Sequence, residues 1–167
     1  IETPEASGEE IEKYVVLAAN AGIERVILRM EEKAQADVLT EKLSAAIKKA
    51  ELADVQILFE TAGYLAHTEN VIDVINFFSS AVIGASWNVR ETYFTADESA
   101  ETTIKNLGAY IKYARLGDMK DGKTVLIGEG ELPVNNFHNA LSSLNYEGYI
   151  CVAWNGEIND ADTVLTH

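Results

Sequence analysis

The residues with the clearest potential for chemistry follow an apolar run in the second half of the chain. The run 109–116 ends in Arg115-Leu-Gly-Asp118, and a loop rich in Glu and Gly, Gly128-Glu-Gly-Glu-Leu-Pro133, comes soon after it. The run is too short for a helix and predicts a buried strand. Folds with parallel strands carry their reactive groups where the strands end at their carboxyl side. We therefore expect the chemistry of this chain at the carboxyl ends of its strands.

A regular alternation of predicted elements positions this run. Helical spacing and cap residues predict five helices. The first four start at the caps Ser7, Asp37, Thr68, and Asp97 or Ser99, and the fifth has Pro133 in its first turn. Apolar, β-rich runs between them predict five strands at 25–30, 55–60, 82–89, 109–116 and 148–154. Strict alternation of helix and strand indicates βαβ crossovers and a parallel sheet, which is an α/β fold. The repeat of roughly 30 residues is the size of one βα unit of a barrel.

Length and charge exclude several function classes. The 167 residues predict a single domain over 1–167, and 27 acidic against 13 basic residues give a formal charge of −14. Such a charge repels phosphate backbones, so we expect no nucleic-acid partner. Neither a membrane-spanning run nor a signal peptide is evident, and the single cysteine, Cys151, permits no disulfide within the chain. We predict a cytoplasmic protein without a membrane partner.

Five short motifs lie at or near the ends of the predicted strands and in the loops that follow them. They are Phe59-Glu-Thr-Ala-Gly63, Ser86-Trp-Asn-Val-Arg-Glu91, Tyr110-Ile-Lys-Tyr-Ala-Arg-Leu-Gly-Asp118, Gly128-Glu-Gly-Glu-Leu-Pro133 and Tyr146-Glu-Gly-Tyr-Ile-Cys-Val-Ala-Trp154. In their order and spacing they resemble the later strands of the xylose isomerase-like TIM barrels, which include sugar phosphate isomerases and epimerases and AP endonuclease family 2.

This resemblance implies a partial (β/α)8 barrel. The five predicted strands match strands four to eight of the family, whereas a complete barrel takes about 250 residues. We expect this chain to be either the C-terminal portion of a longer protein or an incomplete barrel. An open sheet has unpaired edges, so self-association or an N-terminal region is expected to complete it.

The resemblance also implies a degenerate metal site. The family holds its metal with Glu, Asp, His and Glu at the ends of strands five to eight, and these positions here are Glu60, Asn88, Arg115 and Ala153. Glu60 is the only retained ligand, and Glu91 stands near the strand-six histidine position. A cation about 4 Å from Arg115 meets a repulsion of about 4 kcal/mol at an effective dielectric of about 20. We therefore expect no cofactor, or a divalent Mn, Mg or Zn only if the site is partly retained, and we predict that Arg115 pairs with Glu60 instead.

Two function classes remain open. In the first, the domain is a non-catalytic module that binds a small sugar-like ligand or serves as a scaffold within a larger protein. In the second, it is a sugar or sugar-phosphate isomerase or epimerase, with Glu60 as the base and Arg115 stabilising the enolate. The candidate ligand contacts are Asn88, Glu91, Asp118, His67 and Trp154. A surface polar residue is the simpler interpretation of His67, and a family-specific turn is the simpler one of Gly128–Gly130. For Trp154, a buried barrel position and stacking on a sugar face remain equal alternatives.

Overall fold

One parallel sheet forms the centre of the fold. The structure, a computed structural model, describes residues 2–3 and 8–153. Six strands lie side by side in the order β1-β2-β3-β4-β5-β8, every neighbouring pair is parallel, and a separate antiparallel hairpin joins β6 to β7. The strands are β1 Glu2–Thr3, β2 Arg25–Met30, β3 Gln56–Gly63, β4 Ile83–Asn88, β5 Ile111–Leu116, β6 Asp118–Lys120, β7 Lys123–Val125 and β8 Ile150–Val152. The predicted chain-order parallel arrangement, a partial barrel, is confirmed.

Helices provide the crossovers between the parallel strands. They are α1 Gly8–Asn20, α2 Lys33–Ala53, α3 Thr68–Phe78, α4 Ala100–Leu107 and α5 Val134–Ser143. Two 3₁₀ turns occupy Tyr64–Ala66 and Gly108–Tyr110, and a π-helical turn follows β4 at Glu91–Thr95. Within the described ranges, none of these helices combines the length and the apolar character needed to cross a membrane.

The predicted helix starts are only partly right. Ser99 caps α4, because its hydroxyl accepts a hydrogen bond from the Thr102 amide at 3.2 Å. Asp37 is not a cap, since α2 already begins at Lys33, where a run of good helix formers carries the helix one turn further. Thr68 is the first residue of α3 rather than its cap. Its amide and hydroxyl instead donate to the carboxylate of Glu98, at 2.9 and 2.7 Å. Ser7 lies outside the described residues.

The two faces of the sheet differ in chemistry. The outer face packs against the helices, and Ile57, Phe59 and Trp87 belong to its continuous apolar core. Trp87 is fully buried there, 5.5 Å from the ring centre of Phe137. Strand residues alternate in direction, so the residues between these core positions lie on the opposite, inner face. The strand register aligns three rows across that face: Ile27–Leu58–Gly84, Glu60–Ser86–Tyr113 and Asn88–Arg115–Cys151.

Candidate functional site

A buried carboxylate lies on the inner face near the carboxyl end of β3. Glu60 is 2% exposed, and its Oε1 accepts hydrogen bonds from Asn88 Nδ2 at 2.8 Å and from Arg115 Nη1 at 3.3 Å. Three neighbouring strands therefore contribute one side chain each to a single contact. The predicted ion pair between Arg115 and Glu60 is confirmed.

The environment of Glu60 explains why its charge can be buried. A carboxylate without partners in an apolar setting costs several kcal/mol, whereas a hydrogen-bonded ion pair offsets most of that cost. The Arg115 side chain is 21% exposed and brings the compensating charge from β5. Asn88 adds a neutral donor from β4, the strand between the two charged residues.

The turn after β4 carries a second ion pair. Arg90 Nη2 lies 3.0 Å from Glu91 Oε1, and the other carboxylate oxygen of Glu91 accepts a hydrogen bond from the Thr95 hydroxyl at 3.1 Å. The Glu91 amide donates to Asn88 Oδ1 at 3.4 Å, so Asn88 connects this turn to Glu60. Glu91 is the first residue of the π-helical turn. Such turns are rare in proteins overall, and those that occur are frequently at functional sites.

A third arginine, which the sequence interpretation missed, belongs to the same group. Burial lowers the pKa of Arg29, but its hydrogen bond to Glu31 and the negative fields of Glu31, Glu60 and Glu91 outweigh that effect and raise the pKa above its usual value. Arg29 therefore interacts electrostatically with both predicted site carboxylates, Glu60 and Glu91. The available signal was the alternation in Arg25-Val-Ile-Leu-Arg-Met30, where apolar residues on one face leave the arginines on the other.

A glycine permits the close approach of β2 to β3 beside this group. Gly63 has a φ of 58°, and a Cβ there would lie 2.6 Å from the Met30 carbonyl oxygen and 2.7 Å from Glu31 Oε2. Both the backbone conformation and the space favour glycine at this position. Gly63 thus allows the carboxylate of Glu31 to lie at the end of β3.

We call this set of residues the mouth cluster. It contains three guanidinium groups, three carboxylates and one amide, namely Arg29, Arg90, Arg115, Glu31, Glu60, Glu91 and Asn88. Within the described part of the chain, no three His, Cys, Asp or Glu side chains converge in a way that could hold a metal ion. The cluster brings guanidinium and amide donors next to carboxylate acceptors.

Asp118 has a structural role that the sequence interpretation did not foresee. It is fully buried, and its carboxylate accepts hydrogen bonds from the backbone amides of Met119, Gly128, Gly130 and Leu132 at 2.8 to 3.0 Å. The glycine-rich loop is therefore wrapped around an internal anion. A Cβ at Gly130 would lie only 2.1 Å from Asp118 Oδ1. Each carboxylate oxygen accepts two of these hydrogen bonds, so Asp118 holds the loop together, and the expectation that it contacts a ligand stays a prediction.

The remaining predicted contacts lie away from this cluster or outside the description. His67 is exposed and precedes α3 with an extended backbone, on the segment that follows β3. Trp154 lies outside the described residues. Cys151 is half-buried and is the register partner of Arg115, so it borders the mouth cluster on β8.

Solved structures of known proteins share this fold at low identity. The apo form of 3-keto-D-glucoside 4-epimerase YcjR from E. coli superposes with a TM-score of 0.77 at 12% identity, covering 94% of this chain and 66% of that chain. The probable 3-DHS dehydratase AsbF from Bacillus anthracis gives 0.81 at 9% identity, with 99% and 72% coverage. The IOLI protein with a bound zinc atom gives 0.72 at 15% identity, with 86% and 58% coverage. The chain thus spans about two thirds of the YcjR structure, and these likenesses establish the fold alone.

The sequence itself identifies the family. No curated protein sequence matches the chain. The pattern of the xylose isomerase-like TIM barrels, in contrast, matches residues 2–165, nearly the entire chain. The match agrees with the parallel sheet and with the charged residues at its carboxyl end. The chain belongs to the xylose isomerase-like TIM barrel family.

Proposed function

We propose that the mouth cluster binds a neutral, polyhydroxylated ligand of the sugar type without a metal ion, and that the chain acts as a ligand-binding module. The observation that carries this proposal is the ion pair of Arg115 with Glu60, with the guanidinium nitrogen 3.3 Å from the carboxylate oxygen. Arg115 stands at the position on its strand where the resemblance to the family implies a metal ligand. A fixed positive charge and a cation would compete for the same carboxylate.

The balance of charges in the cluster supports a neutral ligand. Arg29, Arg90 and Arg115 are matched one for one by Glu31, Glu60 and Glu91, so the set carries no net charge. A site without net charge has little attraction for a free anion or cation. Sugar hydroxyls both donate and accept hydrogen bonds, so they fit a surface on which guanidinium donors alternate with carboxylate acceptors.

Titration with a panel of neutral monosaccharides and polyols, followed by calorimetry and by thermal shift, tests the proposal. We expect saturable binding of at least one member, unaltered by EDTA or by added Mn²⁺, Mg²⁺ or Zn²⁺. Asn88→Ala should weaken that binding at least about tenfold, which corresponds to about 1.4 kcal/mol. The matched control is Asn135→Ala, which removes an exposed amide from α5 and should leave binding unchanged.

Two results would overturn the proposal. One is stoichiometric metal binding that Glu60→Gln abolishes, because it would show that the cation displaces Arg115. The other is a complete lack of sugar binding by a chain that circular dichroism shows to be folded.

A second candidate function is proton transfer on a sugar, as in an isomerase or epimerase, with Glu60 as the base. It is favoured by one specific observation, the similarity in fold to a structure described as a sugar epimerase. Incorporation of solvent deuterium into a sugar C–H bond would support it, provided that Glu60→Gln abolishes the exchange. Binding without exchange would leave the ligand-binding module as the function.

A further inference from the structure

A cavity of about 340 Å³ lies at the amino-terminal ends of the strands, at the opposite end of the sheet from the mouth cluster. We call it the basal cavity. Its wall is formed by the first residues of β2 and β3, the start of β5 and the loop that precedes β8. Its side chains include Arg25, Gln56, Lys112, Tyr146 and Glu147. The volume is within the usual range for small-molecule sites, about 300–1,000 Å³.

Arg25 provides a guanidinium on the cavity wall, at the start of β2. Its Nε donates to Gln56 Oε1 at 3.2 Å, and its Nη2 lies 3.3 Å from Glu24 Oε2. The Glu24 side chain is 73% exposed, so this ion pair is a solvated surface pair of little strength. Glu24 also shows that a carboxylate oxygen can reach this edge of the guanidinium from solvent.

Lys112 provides a second cation on the cavity wall. It is half-buried on β5, and within the described ranges its ammonium forms neither an ion pair nor a hydrogen bond. Gly84 on the neighbouring strand makes room for its stem, since a Cβ at Gly84 would lie 2.9 Å from Lys112 Cγ. A larger residue at position 84 would push the lysine stem off the sheet.

The remaining wall is mostly uncharged and combines apolar residues with a few polar side chains. The Tyr146 hydroxyl donates to the Tyr149 carbonyl oxygen at 2.9 Å. Burial raises the pKa of Tyr146, while the positive charge of Arg25 and a backbone hydrogen bond oppose that rise, so the phenol is neutral at physiological pH and lies within the field of Arg25. Glu147 is the one acidic side chain of the wall, and it is exposed to solvent.

We propose that the basal cavity binds a small oxyanion, a phosphate or a carboxylate, through Arg25 and Lys112, with the Gln56 amide as a neutral contact. The planar guanidinium suits two oxygens of one anion, and the ammonium of Lys112 supplies a point charge from β5. On binding, the anion takes the place of Glu24 at Arg25. This site is independent of the mouth cluster and of the ligand proposed there.

Titration of the full chain with inorganic phosphate, and separately with malonate, tests this site. Chloride keeps the ionic strength constant, and backbone amide shifts measured by NMR report the position of binding. We expect saturable shifts around 108–112 and 144–148. Lys112→Gln and Arg25→Gln should each weaken binding at least tenfold, whereas the matched control Lys105→Gln, at an exposed lysine of α4, should have no effect. Tighter binding of phosphate than of malonate, or the reverse, identifies which oxyanion the cavity favours.

Glu24→Gln provides a test with the opposite sign. Because it removes the competing carboxylate from the surface, it should strengthen oxyanion binding several-fold without affecting the core. Glu60→Gln should leave the basal cavity unaffected, which separates this proposal from the one for the mouth cluster. The proposal is overturned if neither anion gives saturable shifts, if Lys105→Gln weakens binding as much as Lys112→Gln, or if Glu24→Gln weakens it.

Discussion

Replacing Arg115 by alanine should destabilise the fold by about 3 kcal/mol. The substitution leaves the carboxylate of Glu60, which is 2% exposed, without the guanidinium that compensates its charge. At the observed separation of 3.3 Å, the attraction is about 5 kcal/mol for an effective dielectric of about 20. Removing one partner of a buried pair costs about 3–5 kcal/mol. The lower end applies here, because Arg115 is 21% exposed and Asn88 still donates to Glu60 in the variant.

Urea unfolding at pH 7, followed by far-ultraviolet circular dichroism, measures this loss. In thermal unfolding, the same cost of about 3 kcal/mol corresponds to a fall in Tm of about 6–12 °C for a domain of this size. The matched control is Lys49→Ala, which removes an ion pair with Glu12 whose side chains are 49% and 24% exposed. It should cost less than about 1 kcal/mol.

A second substitution tests the physical cause. Adding Glu60→Gln to Arg115→Ala should restore part of the lost stability, because a buried amide costs less than a buried unpaired carboxylate. The reasoning is refuted if Arg115→Ala differs from Lys49→Ala by less than about 0.5 kcal/mol. It is also refuted if the double variant is no more stable than Arg115→Ala.

Three further outcomes follow from features of the described chain. Asp118→Asn should cost about 2–4 kcal/mol in urea unfolding and speed up hydrogen exchange at Gly128 and Gly130, because the new NH₂ group opposes amide donors that now have an acceptor; unaltered exchange would contradict this. Because the pKa of Tyr146 is raised in the folded chain, the phenol of the unfolded chain, with a pKa near 10.0, loses its proton first. The contribution to stability is therefore fully present below about pH 10 and declines as the pH rises towards the folded pKa. Tyr146→Phe should flatten this decline in urea midpoints measured from pH 8 to 11, and parallel curves for the two proteins would count against it. Exposed Ile150 and Val152 on the edge strand β8, 48% and 54% accessible, should promote self-association of the isolated chain, and sedimentation as a dispersed monomer would disprove that expectation.

The fold was largely predictable because its pattern is redundant. Each buried strand is a short apolar run between two helical periods, and the parallel arrangement follows from alternation rather than from any single residue. The local errors concern helix starts. Asp37 and Thr68 both have cap-forming side chains. Helix propensity nevertheless starts α2 before Asp37, and Thr68 donates its hydrogen bonds to Glu98 in a distant loop. A distant partner of this kind leaves no trace in the sequence near the helix.

The candidate site was predictable where strand ends determine it. Glu60, Asn88 and Arg115 each end or nearly end a predicted strand, and parallel neighbours bring such ends together. Arg29 was missed because the alternation along β2 separates two faces but does not show that the arginine face meets Glu60 and Glu91. The structural role of Asp118 was not foreseen, because an acidic residue beside glycines gives the same sequence pattern whether it faces a ligand or its own backbone.

The shared oxygen of Glu60 constrains the order in which substitutions can accumulate at this site. Arg115→His as a first step would remove the permanent charge that compensates a buried carboxylate. Asn88→Asp as a first step would place a second carboxylate where a donor now lies 2.8 Å from Glu60. Each change is costly until the other is made and a cation is bound, so the two positions are expected to vary together. A chain with this arrangement therefore faces a stability barrier against acquiring a metal site at these positions by single steps, and the two substitutions are expected to be epistatic for an electrostatic reason.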